Sequence, residues 1–266
     1  DSAEYPLNQE GAPELPADRI EEREVNGVKF TMVKCPAGEF WMGSEDGVGS
    51  DWERPRHRVE ITKPFWVGQT QVTQAQWSAI MGSDPSHFKG ANLPVEQVSW
   101  FDCVRFCNAL SESAGLEPVY DIGSGDKPTV SLDLGRTGYR LPTEAEWEAA
   151  ARADQDFYFS GGDDPHKVAW FSENAQETQQ VGKKEPNAAH LYDMTGNVWE
   201  WVFDAYDEEA YRHTPTTDPV VKTGVYRVCR GGAFTSSAES TRISIRGAYE
   251  PDVHNWAVGF RMVRFA

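Results

Sequence analysis

Alternation of apolar and polar positions begins at Val28, where "VKFTMVKCPAGEFWMGS" alternates and then turns at Pro36-Ala37-Gly38, predicting two short strands. "ERPRHRVEITKPFWVGQTQVT" continues in strand style, with Val59, Ile61, Phe65 and Val67 as core candidates. The period then becomes helical. "TQAQWSAIMG" starts at Thr73 and stops at Gly82. "SWFDCVRFCNALSESAG" has Ser99 at the N-cap, Asp102 three residues on, an apolar face of Trp100, Val104 and Cys107, and Gly115 as a stop. "GYRLPTEAEWEAAARA" repeats the signal with Thr143 and Glu146 ahead of an alanine-rich run. From Asp154 to Val225 the periodicity fades into Gly, Pro, Asp, Asn and scattered aromatic residues. So long an irregular stretch needs a pin, either buried rings or a bound metal. "YRVCRGGAF", "TRISIRGAY" and "VGFRMVRF" close the chain as strand-like segments. Strands, helices, an irregular middle and strands again predict an α+β fold with a small sheet closed by its terminal strands, not an alternating βαβ fold.

At 266 residues the chain is long enough to bury a sizeable core as one domain or a closely packed pair. Residues 1–24 are acidic, contain proline and are poor in core residues, so they are expected to form an extended arm ahead of a single domain over 25–266. The arm reads as the start of a mature exported protein, periplasmic or otherwise secreted, or as an arbitrary end of the chain. No apolar run is long enough to span a membrane. Charge narrows the partners further: 25 Lys and Arg against 42 Asp and Glu give a net charge of −17, which repels nucleic acid and anionic lipid. Of the four cysteines, Cys103 and Cys107 share a helix face as small core residues, too far apart for the short Cβ–Cβ distance of a disulfide. An oxidising compartment permits a Cys35–Cys229 bond. There is no CxxC, and the six histidines are scattered singly, so no sequence-local zinc or iron motif exists.

Several blocks, taken in order, resemble a known family. "PAGEFWMGS", "LPVEQVSWFDCVRFCNAL", "YRLPTEAEWEAAAR", "DMTGNVWEW", "RVCRGGAF" and "VGFRMV" are similar to the formylglycine-generating-enzyme, or sulfatase-modifying-factor, family from about Val28 to Phe265. The resemblance implies a modified C-type-lectin fold with little regular secondary structure. It implies a structural calcium ion held by side-chain oxygens of Asp193 and Glu200 and backbone carbonyls of Gly196 and Val198, an oxygen set that suits a hard cation. A second family calcium site near Asn174 is not expected here, since "ENAQETQQVGKKEPN" lacks a matching acid. The family's oxidases hold copper(I) with two cysteines after the paired glycines. Those positions fall on Ser236 and Thr241, whose hydroxyls are poor ligands for a soft ion, so copper is not expected and the redox cofactor is left open. The compact histidine cluster of the family's iron-dependent sulfoxide synthases is likewise absent from the sequence.

By family position, the cleft would lie beside Trp199, Ser236, Ser237, Thr241, Arg242, Arg246, His254 and Trp256. Ser236, Thr241 and His254 are the catalytic candidates, His254 because imidazole titrates near neutrality, although Ser236 has no base beside it in sequence. Trp199, Ser237, Arg242, Arg246 and Trp256 are the candidates for holding a peptide-like substrate. Against this stand plainer uses: tryptophans as core anchors, arginines paired with the acidic excess, and His254 as a solvated loop residue. An exported chain without the copper cysteines resembles the family's periplasmic pyoverdine-maturation branch, which implies oxidation of dihydropyoverdine to pyoverdine. A ligand- or protein-binding module of lectin-like fold, or an accessory protein without catalysis, are the other readings.

Overall fold

The computed structural model describes residues 16–266. The strands are β1 (Ile20–Val25), β2 (Val28–Cys35), β3 (Gly38–Met42), β4 (His57–Ile61), β5 (Phe65–Gly68), β6 (Tyr120–Ile122), β7 (Val130–Leu132), β8 (Trp199–Ala205), β9 (Arg227–Arg230), β10 (Arg246–Tyr249), β11 (Val258–Phe260) and β12 (Val263–Phe265). The helices are α1 (Gln74–Met81), α2 (Trp100–Ser113), α3 (Glu144–Arg152), α4 (Pro165–Val168) and α5 (Ala210–His213). The first sheet runs β1-β2-β5-β12, wholly antiparallel, so strands from both ends of the chain share it as the closing pattern predicts. The second runs β10-β9-β8-β11, with β11 parallel to β8. β3 pairs with β4 and β6 with β7 as separate hairpins.

Each long helix begins where its local chemistry says. Thr73, Ser99 and Thr143 accept a hydrogen bond from the third helical N–H, and Gln76, Asp102 and Glu146 reach back to the cap backbone, a reciprocal box at all three starts. α1 ends on Gly82 in the left-handed region. Val59, Ile61, Phe65 and Val67 are all buried, and Cys103, Cys107 and Cys229 lie in one apolar cluster with Trp100, Trp201 and Phe260.

Four expectations need revision. The expected arm ends too late in sequence, because Ile20–Val25 already pairs with Val28–Val33; residues 1–15 lie outside the described residues. The stretch from Asp154 to Val225 contains the central strand β8. That strand is buried almost throughout, so it lacks the half-buried alternation by which a strand is recognised. "TRISIRGAY" is strand only from Arg246, since Ala238–Thr241 forms a 3-10 turn. Finally, Cys35 and Cys229 are free, buried thiols in different apolar clusters, so they form no disulfide. Burial pushes the Cys35 thiol up to about 12.

Candidate functional site

The loop that runs into β8 is anchored by backbone geometry first. Gly196 has φ 79°, and a Cβ there would stand 2.2 Å from the Trp170 carbonyl, so only glycine fits this approach. Its N–H bonds the carbonyl of Gly231 at 2.8 Å, tying the loop to the paired glycines after β9. Glu200, on β8, is buried and receives Arg261 through two bonds of 2.7 Å and the Trp147 indole N–H at 2.7 Å. Asp193 Oδ2 accepts from Gly182 N at 2.7 Å while its Oδ1 is buried without a partner, and burial pushes this acid up to about 6. The four oxygen sources expected to hold calcium are thus brought together, but not around an open point. The Gln71 amide nitrogen stands 3.0–3.3 Å from the carbonyls of Asp193, Gly196 and Val198 and from Glu200 Oε1. The Gln71 amide thus lies among these oxygens, and Asp193 faces it with its carbonyl while its Oδ1 stays unpartnered.

The Ser236–Arg246 segment is mostly committed to its own architecture. Ser236 Oγ accepts from Ala233 N at 3.0 Å, and its carbonyl accepts from Ser172 N at 2.9 Å. Ser237 caps the 3-10 turn through Ser240 N. Thr241, expected in the cleft, is fully buried: its hydroxyl donates to the Ala238 carbonyl at 2.7 Å, and its methyl lies against Gly232. Arg242 makes two bonds to buried Glu53, at 2.9 and 3.1 Å. Arg246 is buried with Glu144 at 2.7 and 2.9 Å. Both arginines were expected to hold substrate, and both instead neutralise carboxylates of the core. Glu144 also meets Arg230, which reaches Glu148 at 2.5 Å.

What remains outward is aromatic. Trp256 is 44% exposed and stacks on Phe88 with ring centres 5.7 Å apart and planes 22° apart. Edges of His87 and Phe234 close on the same ring at 5.7 Å. Trp199 packs half-buried against the cluster of Ala233, Phe234 and Ala257, so Trp199 and Trp256 converge with the segment that leads to Ser236. His254 is exposed and its Nε2 lies 3.0 Å from Asp102 Oδ2, the carboxylate of the α2 capping box. The sequence reading missed His87, Phe88, Phe234 and Gln71. Phe234 sits inside "RGGAF", whereas "SHFKG" carries no periodic signal at all.

Buried acids divide into two groups, which sets a pH dependence. Burial raises Glu96 to about 7 despite an N–H bond from Phe88, and burial with the Glu144 charge nearby raises Asp204 to about 7. Folded-state values above the unfolded ones mean stability that is full below about pH 4 and lost as pH rises through about 7. Burial would raise Glu53 too, but bonds from Arg242, Ser50 and Ser244 hold it down to about 2. Its contribution is present above about pH 4.5 and lost as pH falls towards 2. The melting temperature is therefore expected to peak at about pH 4 to 4.5 and to fall on both sides. Thermal scans between pH 3 and 8 test this; a steady rise from pH 5 to 8 contradicts it.

Comparison with known proteins places this geometry. The family described as "Sulfatase-modifying factor enzyme 1-like domain" matches residues 16–266. Chaperone protein LppX of Paenibacillus barcinonensis is 35% identical, over 75% of this chain and 80% of its own. The formylglycine-generating enzyme of Streptomyces coelicolor is 30% identical, over 86% of this chain and 88% of its own. Among solved structures, Treponema denticola variable protein 1 superposes with a TM-score of 0.85 at 32% identity, covering 95% of this chain and 100% of that one. PvdO from Pseudomonas aeruginosa superposes with a TM-score of 0.74 at 25% identity, covering 89% and 94%.

Proposed function

The chain belongs to the sulfatase-modifying-factor family, and from that premise we propose that it acts in the oxidative maturation of a peptide-derived substrate, received at the aromatic patch around Trp256. The observation that carries this reading is the contrast between the two parts of the site. Thr241, Arg242 and Arg246 are tied into the core, while Trp256 and His87 are exposed and half-buried Phe88 backs the Trp256 ring. Exposed aromatic rings offer a large apolar contact for a ring-bearing ligand, with little side-chain freedom to lose. Ser236 follows Phe234 of this patch by two residues; its Oγ receives a backbone N–H, and among the described residues no hydrogen bond joins it to a base. It can position a polar group, and it is not built as a nucleophile.

The substrate proposed within this class is dihydropyoverdine, matured to pyoverdine in an exported compartment; likeness to PvdO supports it. Formylglycine formation at a cysteine is not part of the proposal, because the resemblance puts the hydroxyls of Ser236 and Thr241 at the positions of the family's copper thiolates. The chain incubated with copper and a sulfatase-type cysteine peptide is expected to give no mass loss corresponding to an aldehyde. In a strain that lacks its own maturation protein and accumulates dihydropyoverdine, the wild-type chain is expected to restore the pyoverdine chromophore. Aldehyde formation would overturn the first statement, and failure of the wild type the second. Ligand capture without turnover is the second reading, favoured by how many of the segment's polar side chains are already bonded inside the protein.

A further inference from the structure

Gln71 is fully buried between β5 and α1, and its amide nitrogen is the hub of the β8 loop. Nε2 lies 3.2 Å from the Asp193 carbonyl, 3.3 Å from that of Gly196, 3.0 Å from that of Val198 and 3.0 Å from Glu200 Oε1. An amide nitrogen carries two hydrogens, and here four acceptors share them. Nε2 faces these oxygens, and Gln71 Oε1 is buried on its other side without a partner. Convergence of several oxygens on one point is the arrangement a calcium ion selects, at 2.3–2.6 Å from each. The Gln71 nitrogen, 3.0–3.3 Å from all four, instead bridges these oxygens at hydrogen-bond distance. Arg261 already pairs with Glu200 through both carboxylate oxygens, while Asp193 keeps one carboxylate oxygen buried without a partner.

We infer that the Gln71 carboxamide takes the place of a structural cation in this chain, gathering the loop carbonyls with partial positive hydrogens so that β8 and the paired glycines are positioned without metal. The inference is independent of the substrate reading. It replaces the calcium expected from the resemblance with a side chain supplied from about 120 residues earlier in the sequence. One substitution should reverse the arrangement. Gln71→Glu exchanges the donor for a second carboxylate among the same oxygens, leaving them repelling one another until a divalent cation enters. Gln71→Ala removes the donor and opens space at the focus.

The test uses the whole chain, stripped with chelator and dialysed, then scanned thermally with and without millimolar calcium. For the wild type, the melting temperature should change by less than about 1 °C in either direction, and elemental analysis of the purified protein should find no bound calcium. Gln71→Glu should melt lower in chelator by roughly 5 °C or more and recover with calcium, since a ligand that binds only the folded state stabilises it by mass action. Gln71→Ala should melt lower and recover in part. A wild type that loses stability in chelator and regains it with calcium overturns the inference. So does a Gln71→Glu protein that is as stable as wild type without calcium and indifferent to it. If neither variant can be obtained folded, the two wild-type measurements still decide.

Discussion

Arg230→Ala should cost about 3–5 kcal/mol of folding stability, the range for stranding a buried charge by removing its partner. The Arg230 side chain has no exposed surface. It bonds Glu144 at 2.6 Å, Glu148 at 2.5 Å, the Tyr211 hydroxyl at 3.1 Å and the Ile243 carbonyl at 2.7 Å. Both carboxylates are held below their ordinary range against burial: Glu144 by Arg246 and Arg230, Glu148 by Arg152 and Arg230. Alanine leaves each with one cation instead of two and opens a cavity beside Trp147, over whose ring the guanidinium lies at 5.1 Å. Against a total of about 5–15 kcal/mol for a typical domain, the loss is enough to lower the yield of folded protein. Arg212→Ala is the matched control. Its pair with Glu209 is half-exposed on both sides and screened by water, so it is expected to contribute little. Urea midpoints compare the two; equal shifts for both would show that the buried network does not hold the fold.

That network explains why part of the fold was legible in the sequence and part was not. Helix starts were readable because Thr73, Ser99 and Thr143 act within three residues of themselves. The closing sheet was readable because its strands carry apolar alternation at both ends of the chain. β8 was not, because a strand buried on both faces has no alternation to read. The site was half legible for a similar reason. Family motifs gave positions for Ser236, Thr241, Arg242 and Arg246, but a motif does not say which way a side chain turns. Arg246 turns inward to Glu144, 102 residues away, and Arg242 to Glu53, 189 residues away. Gln71 and Phe88 lie outside the functional motifs and reach the site only through folding, Gln71 across 122 to 129 residues. Local chemistry is written locally, while a buried polar partner is chosen by topology.

Recognition at the aromatic patch, with Ser236 positioning and not attacking, is the account's central claim, and the largest loss of activity is expected where the rings are removed. A hydrogen bond from one hydroxyl contributes about 0.5–1.5 kcal/mol, up to about tenfold in rate, whereas withdrawing a large ring from contact costs about 1.5–3 kcal/mol. Trp256 is partly exposed, so its truncation should leave the core unchanged; Trp256→Phe keeps a ring for Phe88 and ligand to stack on. The direct measurement is the rate of chromophore formation from dihydropyoverdine in the complemented strain, with melting temperature recorded for each purified variant. Ser236→Ala should stay within about tenfold of wild type and Trp256→Ala should fall by more than about tenfold, with Trp256→Phe between them and all three melting like the wild type. A folded Ser236→Ala protein with no activity, or a Trp256→Ala protein as active as wild type, would contradict the account.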